Sequence, residues 1–281
     1  MNKMMNHNDV LKILPDRLPN THKGNFGRIL LLCGSRGYTG AAALAALGAL
    51  RTGAGLVYLA VPESIYTIEA IKLLEPIVLP LADENGMFSW NSIPTIKKLL
   101  PSMDAVLFGP GVGRAEGVSA ILGFVLSEFQ GPVVIDADGI NALRQHKDVV
   151  RGREHPVIIT PHEGEFLRIG GSLESGRAEG AKALANDLKC IVVLKGNETI
   201  VTDGEVAFEN TTGNPGMAVG GSGDVLAGMI TSLLGQHLPV LQATACAVWL
   251  HGAAGDICAE KLGQYCMLPS DILDALPRLM K

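Results

Sequence analysis

Short apolar runs alternate with segments of helical spacing along most of the chain, and each run ends in glycine or polar residues. A strand that is buried on both faces has a continuous apolar sequence, which is typical of parallel sheets covered by helices. The pattern therefore predicts an α/β protein with a mainly parallel central sheet and helices on both faces. Strands are expected at 28–34, 56–61, 77–81, 104–108, 132–135, 157–160 and 190–194, and helices at 41–51, 63–74, 91–100, 176–189 and 240–262, with further helices starting near 223 and 271.

The alternation continues without a linker, repeat or low-complexity segment. We therefore expect one domain over residues 1–281. Its first part, residues 1–20, is expected to be a polar N-terminal lead. The segment 199–204 is expected to be a hairpin that folds back over the strand before it. The alanines of 41–51 leave two interpretations open: close packing of this helix, or room for a bulky ligand beside it.

Composition and charge limit the classes of partner and the cellular locations that the protein can have. A net charge of −5 without a basic stripe argues against a nucleic-acid partner. The five cysteines are scattered and lack zinc spacing, which favours free thiols in a reducing compartment. The N-terminus is too polar for a signal peptide, and the long weakly polar stretch near 240–259 carries His251 and Asp256, as a buried helix would. We expect a cytoplasmic protein with no membrane span.

The segment 211–229, TTGNPGMAVGGSGDVLAGM, passes from a glycine-rich loop into apolar helical spacing. Gly220, Gly221, Ser222 and Gly223 can turn their backbone N–H groups into one concavity, and the first turn of the helix adds more unpaired donors. This predicts an anion hole suited to phosphate. We expect the helix dipole to keep the adjacent Asp224 ionised and able to accept a proton, although a simple helix cap is the alternative.

Two acidic residues follow the strand at 132–135. Asp136 and Asp138 are candidates for a Mg²⁺ site with water between carboxylate and metal, because magnesium prefers oxygen ligands and retains much of its hydration. The alternative for Asp138 is a cap on the following helix. Earlier in the chain, Gly109, Gly111 and Gly113 form a second glycine-rich turn, which is either a tight turn or a ligand loop.

Two further residues lie just past the carboxyl ends of strands, where open α/β sheets bind ligands. His162 is expected to contact a ligand rather than to sit in the core. Lys195 is expected to neutralise a nucleotide phosphate, with a solvated lysine as the alternative.

Several motifs together resemble one known family. HKGNFGRILLLCGS, FGPGVGR, VVIDADGINAL, ITPHEGEF, VVLKGNETIV and TTGNPGMAVGGSGDVLAGMI occur in the order found in the ADP- or ATP-dependent NAD(P)H-hydrate dehydratases, a branch of the ribokinase-like superfamily. The resemblance covers about residues 21–280. It implies repair of the S epimer of NADHX and NADPHX, the hydrated reduced nicotinamide cofactors, with ADP or ATP consumed and Mg²⁺ present. Some relatives carry an epimerase domain before this one, and the lead before Asn20 is too short for it, so we expect a separate epimerase.

The resemblance also implies roles for individual residues. Asp224 matches the family's catalytic base. Ala42, Gly111 and His162 match contacts to the hydrated cofactor, although the small residue near Ala42 is fixed only to within one position. Ser222 stands where many relatives have threonine, and both supply a hydroxyl. The adenine-nucleotide site matches Lys195, Gly196, Asn197, Glu198, Thr199 and Gly223.

Two rival functions remain open at this point. One is a small-molecule kinase of the same superfamily, such as a thiamin-precursor kinase, that releases its phosphate ester intact. The other is a non-catalytic adenine-nucleotide sensor, which would need the anion hole but not the base. The sequence does not decide whether ADP or ATP is the preferred nucleotide, or whether NADHX or NADPHX is the preferred substrate. The oligomeric state is also open, although relatives are often homo-oligomers, commonly tetramers.

Overall fold

The computed structural model describes residues 3–280. Its strands are β1 (Arg28–Leu32), β2 (Leu56–Pro62), β3 (Ile77–Leu81), β4 (Asp83–Glu84), β5 (Met87–Phe88), β6 (Ala105–Phe108), β7 (Val133–Ile135), β8 (Val157–Ile159), β9 (Ile191–Leu194), β10 (Ile200–Thr202) and β11 (Ala207–Glu209). Its α-helices are α1 (His7–Ile13), α2 (Thr39–Arg51), α3 (Glu63–Lys72), α4 (Ile93–Leu99), α5 (Glu116–Glu128), α6 (Asp138–Leu143), α7 (Lys147–Arg151), α8 (Glu163–Arg168), α9 (Arg177–Leu188), α10 (Ser222–Gly235), α11 (Val240–Leu262) and α12 (Pro269–Ala275).

Nine of the described strands form one sheet in the order β11-β10-β9-β8-β7-β6-β1-β2-β3. The seven strands from β9 to β3 are parallel, and β10 and β11 are added antiparallel at one edge. The hairpin expected at 199–204 is confirmed, because β10 pairs antiparallel with β9. The expected α/β architecture with a mainly parallel sheet is therefore confirmed.

Strand β1 shows why the apolar runs are continuous. Ile29 and Leu31 belong to one buried cluster, while Leu30 and Leu32 belong to the cluster on the opposite face of the sheet. Helices cover both faces, so neighbouring residues of β1 are all inaccessible to solvent. Burying a leucine or isoleucine side chain contributes roughly 1.5–3 kcal/mol, which makes this strand a strong determinant of the fold.

Helices α2 and α10 are in unusually close contact. A Cβ added to Gly228 would lie 2.0 Å from the carbonyl oxygen of Ala45, and one added to Gly48 would lie 2.5 Å from that of Val225. The small residues of α2 therefore serve helix packing, which decides between the two interpretations of its alanines. The same contact fixes the direction in which α10 presents its first turn.

The N-terminal segment differs from expectation. The polar lead at 1–20 contains the helix α1, whose Val10 is fully buried against the main core. Asn6 caps this helix by accepting a hydrogen bond from the Asp9 amide at 3.1 Å. Only one residue of α1 is buried, so the apolar spacing was too weak to be recognised as a helix.

Element boundaries show smaller differences. The helix expected at 91–100 is α4 flanked by 3₁₀ turns at Trp90–Ser92 and Leu100–Ser102, because Pro94 and Pro101 interrupt α-helical hydrogen bonding. Helix α12 begins at Pro269 rather than at 271, with proline at its first position. Helices α6 and α8 follow the strands at 132–135 and 157–160 as the pattern indicated, whereas helices α5 and α7 and strands β4, β5 and β11 were not predicted as separate elements.

Helix α11 is a core helix, as expected from its histidine and aspartate. None of the helices within residues 3–280 is long and apolar enough to cross a bilayer. All five cysteines are free, and four of them are buried, while Cys266 is exposed.

Candidate active site

The carboxyl ends of β7, β8 and β9 bring three of the predicted site residues to one edge of the sheet. Asp136 follows β7, His162 follows β8, and Lys195 follows β9. A bridge between His162 and Lys195 extends the parallel pairing of β8 and β9 beyond the strands themselves. This is the edge at which open α/β sheets bind their ligands.

Lys195 forms a buried ion pair with Asp136. The Lys195 Nζ donates to Asp136 Oδ1 at 2.7 Å, and the Thr160 hydroxyl donates to the same oxygen at 2.6 Å. The side chains are 22% and 2% exposed, respectively. Burial alone would lower the pKa of Lys195, but the carboxylates of Asp136, Glu165 and Asp224 outweigh burial and raise it. Lys195 is therefore a fixed positive charge and not a solvated lysine.

Helix α10 begins where the glycine-rich segment predicted. Gly221 lies immediately before the helix with a φ of 102°, a conformation that glycine adopts without strain. The backbone amides of Gly220, Gly221, Gly223 and Asp224 have no acceptor in the part of the chain that the structure describes. The Ser222 amide donates to the Val219 carbonyl at 3.3 Å, so it is already engaged. Four unpaired donors therefore lie together at the positive end of the helix.

Asp224 occupies the first turn of α10. Its carboxylate makes no hydrogen bond to any residue within 3–280, so it does not cap the helix. Burial, with a smaller contribution from Asp136, raises the pKa of Asp224 to about 7, although Lys195 opposes both effects. The helix dipole that was expected to keep Asp224 ionised is therefore outweighed by burial. A helix dipole contributes typically ~0.3–1 kcal/mol, whereas desolvation of a carboxylate costs several kcal/mol.

A cavity of about 720 Å³ opens beside this helix start. It is large enough for a mononucleotide. The residues that were predicted to bind the nucleotide form one wall of this cavity, and the start of α10 forms another. The predicted site residues on its walls are His162, Lys195, Gly196, Asn197, Glu198, Thr199, Ser222 and Gly223.

Asp224 lies beside this cavity and not on its wall. Its charge acts on Lys195 and also raises the pKa of Cys33, which follows β1. Asp136, after β7, raises the pKa of Asp224 in turn. The carboxylate therefore lies within electrostatic reach of the residues that follow β1, β7 and β9.

His162 both caps helix α8 and lines the cavity. Its Nδ1 accepts hydrogen bonds from the amides of Gly164 and Glu165 at 3.0 and 3.3 Å, while Glu165 Oε2 accepts from the His162 amide at 3.0 Å. These bonds make His162 the cap of α8 and fix the ring. The side chain is still 56% exposed and lines the cavity. The cap orients the ring, and its exposed part is accessible to a ligand.

The predicted contacts Ala42 and Gly111 lie apart from the 720 Å³ cavity. Ala42 is fully buried, whereas its neighbour Ala41 is partly exposed. A Cβ on Gly111 would lie 2.9 Å from the Ala41 methyl group. The small residue on α2 that lies next to the Gly111 turn is therefore Ala41, one position before the predicted one.

Asp136 and Asp138 do not form a shared metal site in this structure. Asp136 is held by Lys195 and Thr160, while Asp138 Oδ2 accepts from the Gly113 amide at 3.0 Å and Arg114 lies 3.7 Å from its other oxygen. No group of three or more metal-ligating side chains occurs among the described residues. This pair of carboxylates does not fit a magnesium ion held between them.

Sequence reasoning overlooked how α11 organises the loop before α10. Asp256 accepts from the Gly213 amide at 2.9 Å and from the Asn214 side chain at 3.0 Å. His251 is buried on the cavity wall, 3.3 Å from the Ser222 hydroxyl, and burial lowers its pKa to about 4. A histidine and an aspartate within an alanine-rich helix were visible in the sequence, but their partners lie 29 to 43 residues away, at the start of α10 and on the loop before it.

Comparison with known proteins agrees with this geometry. A family model described as NAD(P)H-hydrate dehydratase matches residues 29–278. The chain is 40% identical over 275 residues to the bifunctional NAD(P)H-hydrate repair enzyme Nnr of Moorella thermoacetica, covering 95% of this chain and 52% of that one. It is 37% identical over 280 residues to the ADP-dependent (S)-NAD(P)H-hydrate dehydratase of Bacillus subtilis, covering 97% and 95%. The chain thus spans about half the length of the bifunctional relative.

A solved structure is similar over nearly the whole length. The ADP/ATP-dependent NAD(P)H-hydrate dehydratase from Bacillus subtilis, co-crystallized with ATP/Mg²⁺, superposes with a TM-score of 0.85 at 33% identity, covering 98% of this chain and 96% of that one. The expected ribokinase-like fold is thereby confirmed. The chain belongs to the NAD(P)H-hydrate dehydratase family.

Proposed function

We propose that this protein restores the S epimer of NADHX or NADPHX to NADH or NADPH while consuming ADP or ATP. One observation carries the proposal: an unbonded carboxylate, Asp224, adjoins four backbone amides that lack acceptors. The family suggests the substrate class, and the position of Asp224 next to the unpaired amides supports its role as a base beside bound phosphate. We assign this activity to residues 3–280 acting as one domain.

The reaction needs the nucleotide because hydroxide is a poor leaving group. The ring hydroxyl attacks the terminal phosphorus of the nucleotide, the phosphoanhydride bond breaks, and AMP or ADP leaves. Asp224 takes the hydroxyl proton during this attack, a contribution usually worth about 10²–10⁴ in rate. Electrons from the ring nitrogen then expel inorganic phosphate, and loss of a proton from the adjacent ring carbon restores the dihydropyridine.

The nucleotide is assigned to the 720 Å³ cavity. Residues 195–199 and Gly223 line it, and Lys195 provides the positive charge that nucleotide phosphates require. The unpaired amides of Gly220, Gly221, Gly223 and Asp224 are placed to stabilise charge on the transferring phosphoryl group. We propose that Mg²⁺ enters with the nucleotide phosphates, as in the ATP/Mg²⁺ complex of the Bacillus subtilis enzyme.

The hydrated nicotinamide ring is assigned to the space between Asp224, Gly111 and His162. Ala41 of α2, next to the buried Ala42, is the small residue that borders it. An NAD(P)HX epimerase is the expected functional partner, since it interconverts the epimers of this substrate. The free thiols support a cytoplasmic location, where cysteines stay reduced.

We also propose that the protein is a homo-oligomer, with a tetramer as the expected state. Helix α3 and the following turn expose Ile71 and Leu74, which are 77% and 89% accessible in the single chain. These exposed apolar side chains lie next to the edge strand β3. Their exposure favours an interface in which another copy of the chain covers them. Light scattering coupled to size exclusion should report a mass about four times the 29.6 kDa of one chain, and the mass of a single chain would contradict the proposal.

The function is tested by incubating the protein with NADHX and ADP. Absorbance of NADH near 340 nm, roughly the band of any dihydronicotinamide, should return together with one equivalent of inorganic phosphate. A stable phosphorylated product without NADH would instead assign the protein to the small-molecule kinases of the same fold. Omitting the nucleotide serves as the control and should leave NADHX unchanged.

A further inference from the structure

A second cavity, of about 650 Å³, lies at the same edge of the sheet as the first. Its walls come from the Gly113 turn after β6, from α5 and α6, and from the end of α8. The Asp138 carboxylate holds the Gly113 amide at 3.0 Å, so the glycine-rich turn forms part of the wall. The two cavities share no wall residue, and the Gly111 turn and Asp224 belong to neither.

The second cavity is the more basic of the two. Arg114, Arg144 and Arg168 line it, against the acidic side chains of Glu116 and Asp138. Arg114 lies 3.7 Å from Asp138, whereas Arg144 and Arg168 make no ion pair or hydrogen bond to any described residue. Trp90 also lines the cavity, and 57% of its surface is accessible. Unpaired guanidinium groups next to an exposed indole form a suitable surface for phosphate and a purine base.

The proposed reaction, on which this inference rests, brings two phosphate-bearing molecules to Asp224. The first cavity accommodates only one of them, and Lys195 and the amides of α10 suit the reacting nucleotide. The hydrated dinucleotide reacts at its nicotinamide end, so its pyrophosphate and adenosine must extend away from Asp224. Gly111 lies two residues before Gly113, in the same glycine-rich turn whose end lines the second cavity.

We propose that the second cavity binds the pyrophosphate-adenosine arm of the hydrated dinucleotide, with Arg144 and Arg168 contacting its phosphates and Trp90 stacking on its base. The nicotinamide ring then reaches Asp224 past the Gly111 turn. This assignment makes Arg144 and Arg168 binding residues for the dinucleotide and leaves the nucleotide co-substrate to the first cavity.

The test is the double variant Arg144→Gln/Arg168→Gln, compared with Arg51→Gln as a matched control. Arg51 lies on α2 and pairs with Asp274, so its loss removes an exposed arginine elsewhere on the surface. The double variant should raise KM for NADHX by about tenfold, with kcat and the KM for ADP unchanged. The control should match the wild type. An unchanged KM for NADHX, or an equal loss for ADP, would overturn the assignment.

A truncated substrate provides a second readout. Hydrated dihydronicotinamide riboside has the reacting ring but neither phosphate nor adenine. The double variant and the wild type should process it with equal kcat/KM, because it does not reach the second cavity. A loss on this compound as large as that on NADHX would show that the arginines act through the fold or the chemistry, and would contradict the proposal.

Binding of NADPH, measured by its fluorescence, separates this inference from the proposed function. The double variant should raise the Kd for NADPH about tenfold, whether or not the protein turns over NADHX. Turnover by the wild type with no change in NADPH affinity in the variant would overturn only the inference. A wild type that binds NADPH but leaves NADHX unchanged would contradict only the proposed function.

Discussion

Asp224 combines a position at the start of α10 with a carboxylate that has no hydrogen-bond partner among residues 3–280. A capping aspartate would accept from the amides of its own first turn. Here those amides and the carboxylate all remain available, so one short segment offers both a proton acceptor and phosphate donors. The proposed chemistry depends on this combination.

The pH dependence of the reaction follows from the same residue. Burial and the charge of Asp136 raise the pKa of Asp224 to about 7, and only the ionised form accepts a proton. We predict that kcat/KM rises about tenfold per pH unit below pH 7 and reaches a plateau above it. A profile measured from pH 5.5 to 8.5 checks this, and a flat profile across that range would contradict the role of Asp224 as the base.

Replacing the base should separate catalysis from binding. We predict that Asp224→Asn lowers kcat by about 10²–10⁴ because the hydroxyl proton has no acceptor. Nucleotide should still raise the melting temperature of the variant, since the amides and Lys195 are unchanged. Turnover like that of the wild type would disprove the assignment of Asp224 as the base.

The same variant should be more stable than the wild type at alkaline pH. The folded-state pKa of Asp224, about 7, lies above the pKa of 3.8 that is usual for an unperturbed aspartate. The folded protein therefore binds more protons between these values, and its stability falls as pH rises through this window. Asp224→Asn should gain roughly 1–3 kcal/mol at pH 8 and almost nothing near pH 4. Urea denaturation at both pH values measures the difference.

Lys195 has a structural role in addition to nucleotide binding. Lys195→Met leaves the Asp136 carboxylate buried without its cation, and removing one partner of such a pair costs about 3–5 kcal/mol. We predict this loss of unfolding free energy, together with a greater loss of affinity for nucleotide than for hydrated cofactor. Lys97→Met, on an exposed face of α4, is the control and should change neither quantity. Equal losses for both ligands by titration would contradict the nucleotide assignment.

At the scale of elements, the contact between α2 and α10 sets the position of Asp224. Gly228→Ala would place a methyl group 2.0 Å from the Ala45 carbonyl oxygen, so α10 must move away from α2. We predict a loss of about 1–3 kcal/mol in stability and a lower kcat, because the start of α10 shifts.

Gly40→Ala is the matched control for this prediction. Gly40 lies on α2 with no atom within 4 Å of the added Cβ, and alanine is favoured over glycine in a helix by up to about 1 kcal/mol. Its stability should be equal to or higher than that of the wild type. If both alanine variants behave alike in thermal denaturation, close packing of α2 on α10 does not position the site.

Strands were easier to predict from the sequence than short helices. The apolar run of β1 has only one plausible structure, because four consecutive residues from Ile29 to Leu32 must all be buried. Helix α1 has a single buried residue, Val10, so it has no clear helical period. Helix α4 was predicted, but its ends were not, because prolines turn its flanks into 3₁₀ helix.

At the scale of the whole molecule, the edge of the sheet assembles residues that are far apart in sequence. The sequence placed Asp136, His162 and Lys195 after strands, and parallel pairing brings these positions to one edge. It could not show that Lys195 neutralises Asp136, because the pair spans 59 positions. The same ion pair occupies Asp136, one of the two carboxylates of the predicted magnesium site.

Tertiary contacts also explain why sequence reasoning missed some residues of the site and placed another to within only one position. His251 and Asp256 act through contacts with Ser222 and with the loop at Gly213, which no local pattern reveals. Ala41 and Ala42 differ only in the face of α2 that they occupy, and the position of Gly111 decides which one is adjacent to the turn. Such choices depend on how helices pack and not on composition.

The most direct test is a crystal structure of the Asp224→Asn variant with ATP and NADHX bound. The account predicts that the terminal phosphate accepts hydrogen bonds from the amides at positions 223 and 224, with the ring hydroxyl between that phosphate and the side chain at position 224. A terminal phosphate bound away from the start of α10, or a ring hydroxyl out of reach of position 224, would contradict it.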